Sequence, residues 1–194
     1  MDKVHHCPHT GCGRTPARLA LLIAAALLAV LGVQSVAQAQ APGTRERQIR
    51  AALIYKLARF VTWPDGALPA GGPFTFCYVS DQSTSQALAG IEGRAIQNHP
   101  TRMRWLDAAE ARVIGGCNLL YLSGKAGLPA DARAAALATA MLVVVDGPRT
   151  GTEAGMVQLV PRENRVTLVV DLAMVRDARL RIDATLLQMA EVRQ

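Results

Sequence analysis

The sequence feature that most constrains the fold is the segment from Gln48 to Pro64, QIRAALIYKLARFVTWP. At about 100° per residue, its polar side chains Gln48, Lys56 and Arg59 fall on one narrow strip. Apolar side chains occupy most of the remaining helix surface. A helix of this kind must be covered on several sides, so we predict a largely buried helix inside a packed domain. Because proline disfavours helical geometry at the residue before it, this helix is predicted to end at Pro64.

Residues 1–39 have the pattern of a secretory signal peptide. Two arginines precede an apolar run at residues 19–33, and small residues ending in the A-x-A motif Ala37–Ala39 follow it. The run is shorter than the about 20 apolar residues that span a membrane, although a retained N-terminal anchor is the alternative interpretation. We predict cleavage after Ala39, with Ala37 and Ala41 as alternative positions, and an exported, periplasmic domain at residues 40–194.

The predicted mature segment has the size of one domain and a mild basic charge. Its 155 residues (194 − 39) suit a single hydrophobic core, and the sequence shows no internal repeat. Removing the leader lowers the formal net charge from +6 to +4, and no basic block interleaved with aromatic side chains remains. Nucleic acid is therefore not a predicted partner.

The four cysteines divide between the leader and the mature segment. Cys7 and Cys12 lie beside three histidines in a pattern typical of metal binding, but they leave with the signal peptide, so no metal site is predicted. Cys77 and Cys117 remain, and two cysteines in an exported domain favour a disulfide, with two buried free thiols as the alternative. A bridge would close a loop of about 40 residues, which the chain-entropy model values at about 3–4 kcal/mol.

Alternating strand and helix patterns predict a single α/β domain. The sheet is predicted to be mixed and mostly parallel, flanked by helices, with a C-terminal antiparallel hairpin. The run Met141–Val145 is continuously apolar, as expected of a strand covered on both faces. The predicted strands span residues 74–79, 101–106, 118–122, 141–145, 156–160 and 165–170, and the further predicted helices span residues 81–88, 107–114, 129–139, 172–177 and 183–192.

No set of catalytic residues emerges from the mature segment. It lacks the motifs of a phosphate loop and a nucleophile elbow, and its lone histidine, His99, cannot form a zinc site. Four aspartates stand at the ends of predicted elements, where helix capping accounts for them. These aspartates are Asp146, Asp171, Asp177 and Asp183. A binding or regulatory protein without a cofactor is favoured over an enzyme.

The C-terminal segment carries the candidate partner-binding residues. Arg176, Arg179 and Arg181 form a basic cluster, and Leu187 follows in an apolar stretch. Such a cluster is either a solvated face or a docking patch for an acidic partner. In the second interpretation, we expect residues 172–192 to present an apolar patch with a polar rim.

Two other functions fit single features of the sequence. Asp81, Ser123 and Asp146 each follow a predicted strand, and the carboxyl ends of strands in an α/β sheet form a crevice that binds small ligands. A small-ligand-binding protein is therefore the first alternative. A thiol oxidoreductase using Cys77 and Cys117 is the second, and it requires an exposed thiolate of low pKa.

Three stretches together resemble the YfiR-like family of periplasmic regulators. The segment Ala51–Pro64 resembles the opening helix of the family, with its Trp-Pro ending. Cys77 in FTFCYV and Cys117 in GCNLLYLS match a pair of cysteine-bearing strands, and Gly155–Ala190 is similar to the closing hairpin and helix. These blocks cover nearly all of the mature segment.

The resemblance implies a function that composition does not reveal. Family members are exported α/β domains that restrain an inner-membrane diguanylate cyclase by binding its periplasmic sensing domain. An outer-membrane lipoprotein can sequester the regulator, and a homodimer is a further candidate assembly. The resemblance also implies that Cys77 and Cys117 form a structural disulfide. Some members carry a second cysteine pair, which this chain lacks, and Asp171 stands where asparagine is common.

Overall fold

A computed structural model describes residues 42–68, 70–107, 110, 115–124, 128, 130–163 and 165–194. Its helices are α1 (Pro42–Arg59), α2 (Gln82–Leu88), α3 (Ala130–Thr139), α4 (Leu172–Asp177) and α5 (Ala184–Leu187). Its strands are β1 (Val61–Thr62), β2 (Phe74–Val79), β3 (Ala95–Ile96), β4 (His99–Trp105), β5 (Leu119–Leu122), β6 (Leu142–Asp146), β7 (Val157–Arg162), β8 (Arg165–Asp171), β9 (Arg181–Ile182) and β10 (Glu191–Arg193). The predicted signal peptide, the leader cysteines and most of the helix predicted at 107–114 lie outside the described residues.

An eight-stranded mixed sheet forms the centre of the fold, with the strand order β10-β8-β7-β6-β5-β2-β4-β3. Of its seven strand pairs, five are parallel, and the pairs β7–β8 and β3–β4 are antiparallel. A separate antiparallel ribbon joins β1 to β9. The prediction of one α/β domain with a mostly parallel sheet and a C-terminal hairpin is confirmed.

The central strands are apolar because both faces of the sheet are covered. Every side chain of β5 is buried, and so are Leu142–Val145 in β6. The two strands pair in parallel register from Leu119 opposite Leu142 to Leu122 opposite Val145. Two continuous apolar runs therefore lie side by side in the core, as a strand covered on both faces requires.

Helix α1 is the predicted buried helix, with different bounds. It begins at Pro42, six residues before Gln48, and proline suits the first helical turn because the first N–H groups of a helix lack intrahelical partners. It ends at Arg59 rather than at Pro64. The reason is that β1 extends the chain to pair with β9, a contact with a segment far along the sequence.

One face of α1 is buried and its polar strip is exposed. Gln48, Lys56 and Arg59 are exposed, as predicted. Ile49, predicted to lie on the apolar surface, is 47% exposed, so the helix is less completely covered at its start than its composition indicated. The buried side chains of α1 are Ala51, Ile54, Tyr55, Leu57 and Ala58.

The C-terminal segment differs most from its prediction. Instead of one helix over residues 183–192, α5 ends at Leu187, and Glu191–Arg193 form β10 beside Val169–Asp171 of β8. The outer edge of β8 needs hydrogen-bond partners, and this short strand supplies them. All three side chains of β10 are exposed, so no apolar alternation marks the strand in the sequence.

Gly155 precedes β7 at a place where the chain passes close to β6. A Cβ atom at this position would lie 3.0 Å from the backbone oxygen of Val143 and 3.0 Å from a Val145 methyl carbon. We predict that Gly155→Ala lowers the free energy of unfolding by about 1–3 kcal/mol, because a buried backbone atom cannot move aside easily. Urea unfolding followed by circular dichroism measures the change.

Gly90 provides the matched control, since a Cβ atom there would meet nothing within 4 Å. Gly90→Ala is expected to leave the stability unchanged or slightly increased. Equal stability of the two variants would show that the close approach at Gly155 is not a constraint on the fold.

Candidate functional site

The structure brings together the three residues that follow predicted strands. Asp81, Ser123 and Asp146 line one crevice of about 230 Å³ at the carboxyl ends of β2, β5 and β6. We call it the strand-end crevice. Its other lining residues are Gly43, Glu46, Arg47, Arg50, Thr84, Tyr121 and Gly124, which include the first half of α1.

Asp146 is the centre of a polar network rather than the helix cap that was predicted. Its Oδ1 atom is ion-paired with the Arg50 guanidinium, and its Oδ2 atom accepts a hydrogen bond of 3.1 Å from the Tyr121 hydroxyl. Arg50 also pairs with Glu46 at 2.6 Å. The side chains of Arg50 and Asp146 are only 12% and 19% exposed, so this ion pair is largely removed from water.

Two of the other predicted caps, Asp171 and Asp183, are confirmed, whereas Asp177 is the last residue of α4 and its predicted capping role stays a prediction. Asp171 caps α4 by accepting from the Met174 N–H, and Asp183 caps α5 by accepting from the Thr185 N–H. Asp81, considered above as a ligand residue, also caps α2 through the Thr84 N–H at 2.7 Å. That hydrogen bond is the main reason why the pKa of Asp81 is lowered.

Burial governs the ionisation of the Asp146 network. Burial raises the pKa of the Asp146 carboxyl, while the Arg50 charge and the Tyr121 hydrogen bond oppose this shift. Burial, followed by the charge of Asp146, raises the pKa of Tyr121 far above its ordinary value, so its hydroxyl stays a donor. Burial alone would lower the pKa of Arg50, but the hydrogen bond with Glu46 and the two carboxylate charges raise it. The crevice thus holds a fixed guanidinium and a fixed phenol hydroxyl against one carboxylate.

A disulfide joins Cys77 in β2 to Cys117 just before β5, with the Cα atoms 5.8 Å apart. This separation lies within the usual range for disulfides. The two cysteines are 0% and 5% exposed. An oxidoreductase needs an accessible sulfur, so the burial of this bridge disfavours the thiol-exchange interpretation. A buried disulfide fits an oxidising compartment.

The four predicted partner-binding residues have different surroundings. Arg176 and Arg181 are exposed. Arg179 is also exposed, but its guanidinium donates to the Ala138 carbonyl at 3.2 Å and so links the turn after α4 to α3. Leu187 is half-buried and packs against the core.

The predicted apolar patch has candidates in the C-terminal segment. Met189 is 65% exposed and Val192 is 41% exposed, and both lie within residues 172–192. Trp105, at the end of β4, is also exposed, at 55%.

Sequence reasoning missed a basic surface around Tyr55. The Arg94 guanidinium lies 3.9 Å from the centroid of the Tyr55 ring, and the Arg59 guanidinium lies 6.0 Å from it. The Tyr55 hydroxyl donates to the Ala95 carbonyl at 3.0 Å and fixes the ring. Cations at such distances from an aromatic ring are attracted to it.

Arg181 belongs to the same end of α1. Arg181 lies opposite Thr62 in the β1–β9 ribbon, and Thr62 follows Arg59 by three residues in the sequence. We call Arg59, Arg94 and Arg181 the arginine face, and all three are exposed. The polar strip of α1 is the sequence feature that predicts an exposed Arg59. Nothing local placed Arg94 beside it, because its position depends on β3.

Other kinds of site find no support in the part of the chain that the structure describes. Within the described ranges, no group of three or more His, Cys, Asp or Glu side chains is placed to hold a metal ion. No helix in those ranges is long and apolar enough to cross a membrane.

A family model described as YfiR/HmsC-like matches residues 47–191 of the 194. The matched span includes the disulfide, the arginine face and most of the strand-end crevice. No curated protein matches the sequence.

Removing the guanidinium of Arg50 tests the importance of the buried network. We predict that Arg50→Met destabilises the fold by about 3 kcal/mol near pH 7, because it leaves the Asp146 carboxylate buried without its cation. Glu46→Gln removes only the exposed partner of Arg50 and is expected to cost about 0.5 kcal/mol or less. Urea unfolding gives the free energy of unfolding of both variants. Equal losses of stability would contradict the conclusion that the Arg50–Asp146 pair is the important contact of this network.

The effect of Arg50→Met should depend on pH. Without the guanidinium, the pKa of Asp146 rises further above its unfolded value of about 3.9. The folded variant then binds a proton more readily than the unfolded chain, so its stability relative to wild type improves as the pH falls. Unfolding curves between about pH 7 and pH 4 should show a shrinking deficit. A deficit that is constant across this range would exclude an ionised Asp146 as its source.

The disulfide can be tested by replacing both cysteines. We predict that the double variant Cys77→Ala/Cys117→Ala loses about 3–4 kcal/mol of stability, since the unfolded chain regains the conformational entropy that closing a loop of about 40 residues had removed. Thermal unfolding of the wild type with and without reductant is the control, because reduction should reproduce the loss. An unchanged melting midpoint in the double variant would contradict a structural bridge.

Proposed function

The chain belongs to the YfiR/HmsC-like family, and on that premise we propose that it represses an inner-membrane diguanylate cyclase by binding the periplasmic sensing domain of that enzyme. The family is regulatory and non-catalytic, and membership indicates a periplasmic regulator of diguanylate cyclase signalling. The observation that carries the proposal is the family match over residues 47–191, which covers α1 from Arg47 onward and all of the sheet except the last two residues of β10.

The buried disulfide supports the location of this activity. Cys77 and Cys117 are joined across the adjacent strands β2 and β5. Bridges of this kind form and persist where the environment is oxidising, as in the bacterial periplasm. We propose that residues 1–39 direct export to that compartment and that residues 40–194 act there.

The arginine face is the proposed docking surface. Arg59 and Arg94 are held against the fixed ring of Tyr55, and Arg181 adds a third exposed cation at the same end of α1. Guanidinium groups bind carboxylates through paired hydrogen bonds, and arginine is enriched among residues that dominate binding energy. An acidic segment of the sensing domain is therefore the proposed partner surface.

The predicted C-terminal residues extend this surface. Arg176 and Arg181 are free to contact a partner at the turn between α4 and β9, while Arg179 holds that turn against α3. The half-buried Leu187 and the exposed Met189, two residues further along, would supply apolar contacts. An apolar centre with a charged rim is the usual anatomy of a transient protein interface.

Repression would follow from selective binding. If the regulator binds the inactive conformation of the sensing domain better than the active one, it shifts the population of the cyclase toward the inactive state. An outer-membrane lipoprotein that captures the regulator would lower its free concentration and release the cyclase by mass action. A homodimer of the regulator would present two docking surfaces to a dimeric cyclase.

Charge reversal on the arginine face tests the docking surface. We predict that Arg94→Glu/Arg181→Glu weakens binding to the purified periplasmic domain of the host's diguanylate cyclase by about tenfold or more, because like charges then face each other. The matched control is Arg165→Glu/Arg162→Glu, which reverses two exposed charges on the hairpin. Biolayer interferometry at two salt concentrations measures both, and wild-type binding should weaken as salt rises.

Melting curves distinguish a loss of binding from a loss of folding in these variants. Both double variants should keep the wild-type melting curve within a few degrees, because the altered side chains are exposed and the Arg162–Glu191 ion pair that the control breaks is itself half-exposed. Undiminished binding of Arg94→Glu/Arg181→Glu, or an equal loss in the hairpin control, would overturn the assignment of the arginine face.

A further inference from the structure

The strand-end crevice lies where the order of the parallel strands reverses. In the chain β2 is followed by its neighbour β4 on one side, and the chain then returns to place β5 on the other side of β2. The connections that leave β2 and β5 therefore diverge, and an open space remains beyond their carboxyl ends. Small ligands of α/β sheets bind at such reversal points.

The crevice walls come from these two diverging connections. Asp81 follows β2 by two residues, and Ser123 and Gly124 follow β5 directly. The Ser123 N–H donates to the Val79 carbonyl at 2.9 Å, which holds the two strand ends together at the floor. Gly124 has φ +68° and nothing within 4 Å of an added Cβ, so its backbone borders open space.

Two oppositely charged residues of the crevice, Arg47 and Asp81, are not part of the buried network around Asp146. Arg50 is already paired with Asp146 and Glu46. By contrast, the hydrogen bond of the Arg47 guanidinium is a long one, at 3.5 Å to the Thr44 hydroxyl. Asp81 uses Oδ1 for the Thr84 N–H and the Ser83 hydroxyl. A cation on α1 and an anion on the β2–α2 connection thus line the same cavity.

The size and lining restrict what fits. A volume of about 230 Å³ lies below the roughly 300–1,000 Å³ of pockets for drug-sized ligands. Around the crevice the described side chains are polar or charged apart from glycine and the buried ring of Tyr121, so they offer no apolar platform. The five charged lining residues sum to a charge of −1, which disfavours a simple anion.

From this arrangement we infer that the strand-end crevice binds a small polar zwitterion, whose carboxylate pairs with Arg47 and whose ammonium pairs with Asp81. Compounds of the α-amino acid class with short polar side chains carry both groups within one small molecule. Thr84 offers a hydroxyl group to such a side chain, whereas the Ser123 hydroxyl already donates to the Val79 carbonyl at 3.3 Å and can only accept. This inference does not depend on the proposed repression of a cyclase.

Isothermal titration calorimetry on the exported protein purified from the periplasm tests the site. The probes are glycine, L-serine and L-glutamine, each up to about 10 mM, a range that detects millimolar affinities. L-serinamide and N-acetyl-L-serine serve as ligand controls, because the first lacks the carboxylate and the second lacks the ammonium. We expect at least one zwitterion to bind and the matching single-charge analogues to bind at least about tenfold more weakly.

Two variants place the binding within the crevice. Arg47→Gln removes the cation, and Asp81→Asn removes the anion while its amide oxygen can still cap α2. Each should weaken zwitterion binding about tenfold or more, whereas Arg165→Gln on the hairpin should leave it unchanged. Thermal unfolding of each variant confirms that it is folded.

Several results would overturn the inference. These are the absence of binding by all three amino acids, equal binding of serine and serinamide, or zwitterion binding that neither crevice variant weakens. Because no cyclase is present in the titration, a negative result here leaves the docking experiment intact, and a failure of docking leaves this one intact.

Discussion

The docking of α1 onto separate parts of the sheet is the constraint on which the rest of the structure depends. Near the middle of α1, Arg50 pairs with Asp146 at the end of β6. One turn further along, the Tyr55 hydroxyl bonds to the edge strand β3, and just past its end the Phe60 carbonyl accepts the Asp183 N–H at 2.9 Å. One helix therefore covers the strand-end crevice with its first half and supports the arginine face with its second half.

The covalent and electrostatic parts of the fold reinforce this arrangement. The disulfide joins β2 and β5, the two strands whose diverging connections form the crevice. The buried Arg50–Asp146 pair then fixes α1 above the same strand ends, at a desolvation cost that is offset only when both charges and the Tyr121 hydrogen bond are present. The bridge thus ties β2 to the amino end of β5, while the ion pair holds α1 over the carboxyl end of β6.

Sequence patterns could predict the elements whose side chains are governed by the core. The strands β5 and β6 and the β7–β8 hairpin were predicted because buried strands and alternating strands have recognisable compositions. The short strands β1, β3, β9 and β10 were not, because they form by pairing with distant backbone and carry no pattern of their own. The sequence around Asp146 predicts only a cap, because its partner Arg50 lies 96 residues away. Arg94 joins the arginine face for the same tertiary reason.

The most direct test of the central claim is the cellular level of cyclic di-GMP with and without this gene. Repression of a diguanylate cyclase from the periplasm predicts a rise in cyclic di-GMP on deletion. Expression of the full chain should reverse the rise, while a form lacking residues 1–39 and retained in the cytoplasm should not. An unchanged level of cyclic di-GMP in the deletion strain, or rescue by the cytoplasmic form, would contradict the account.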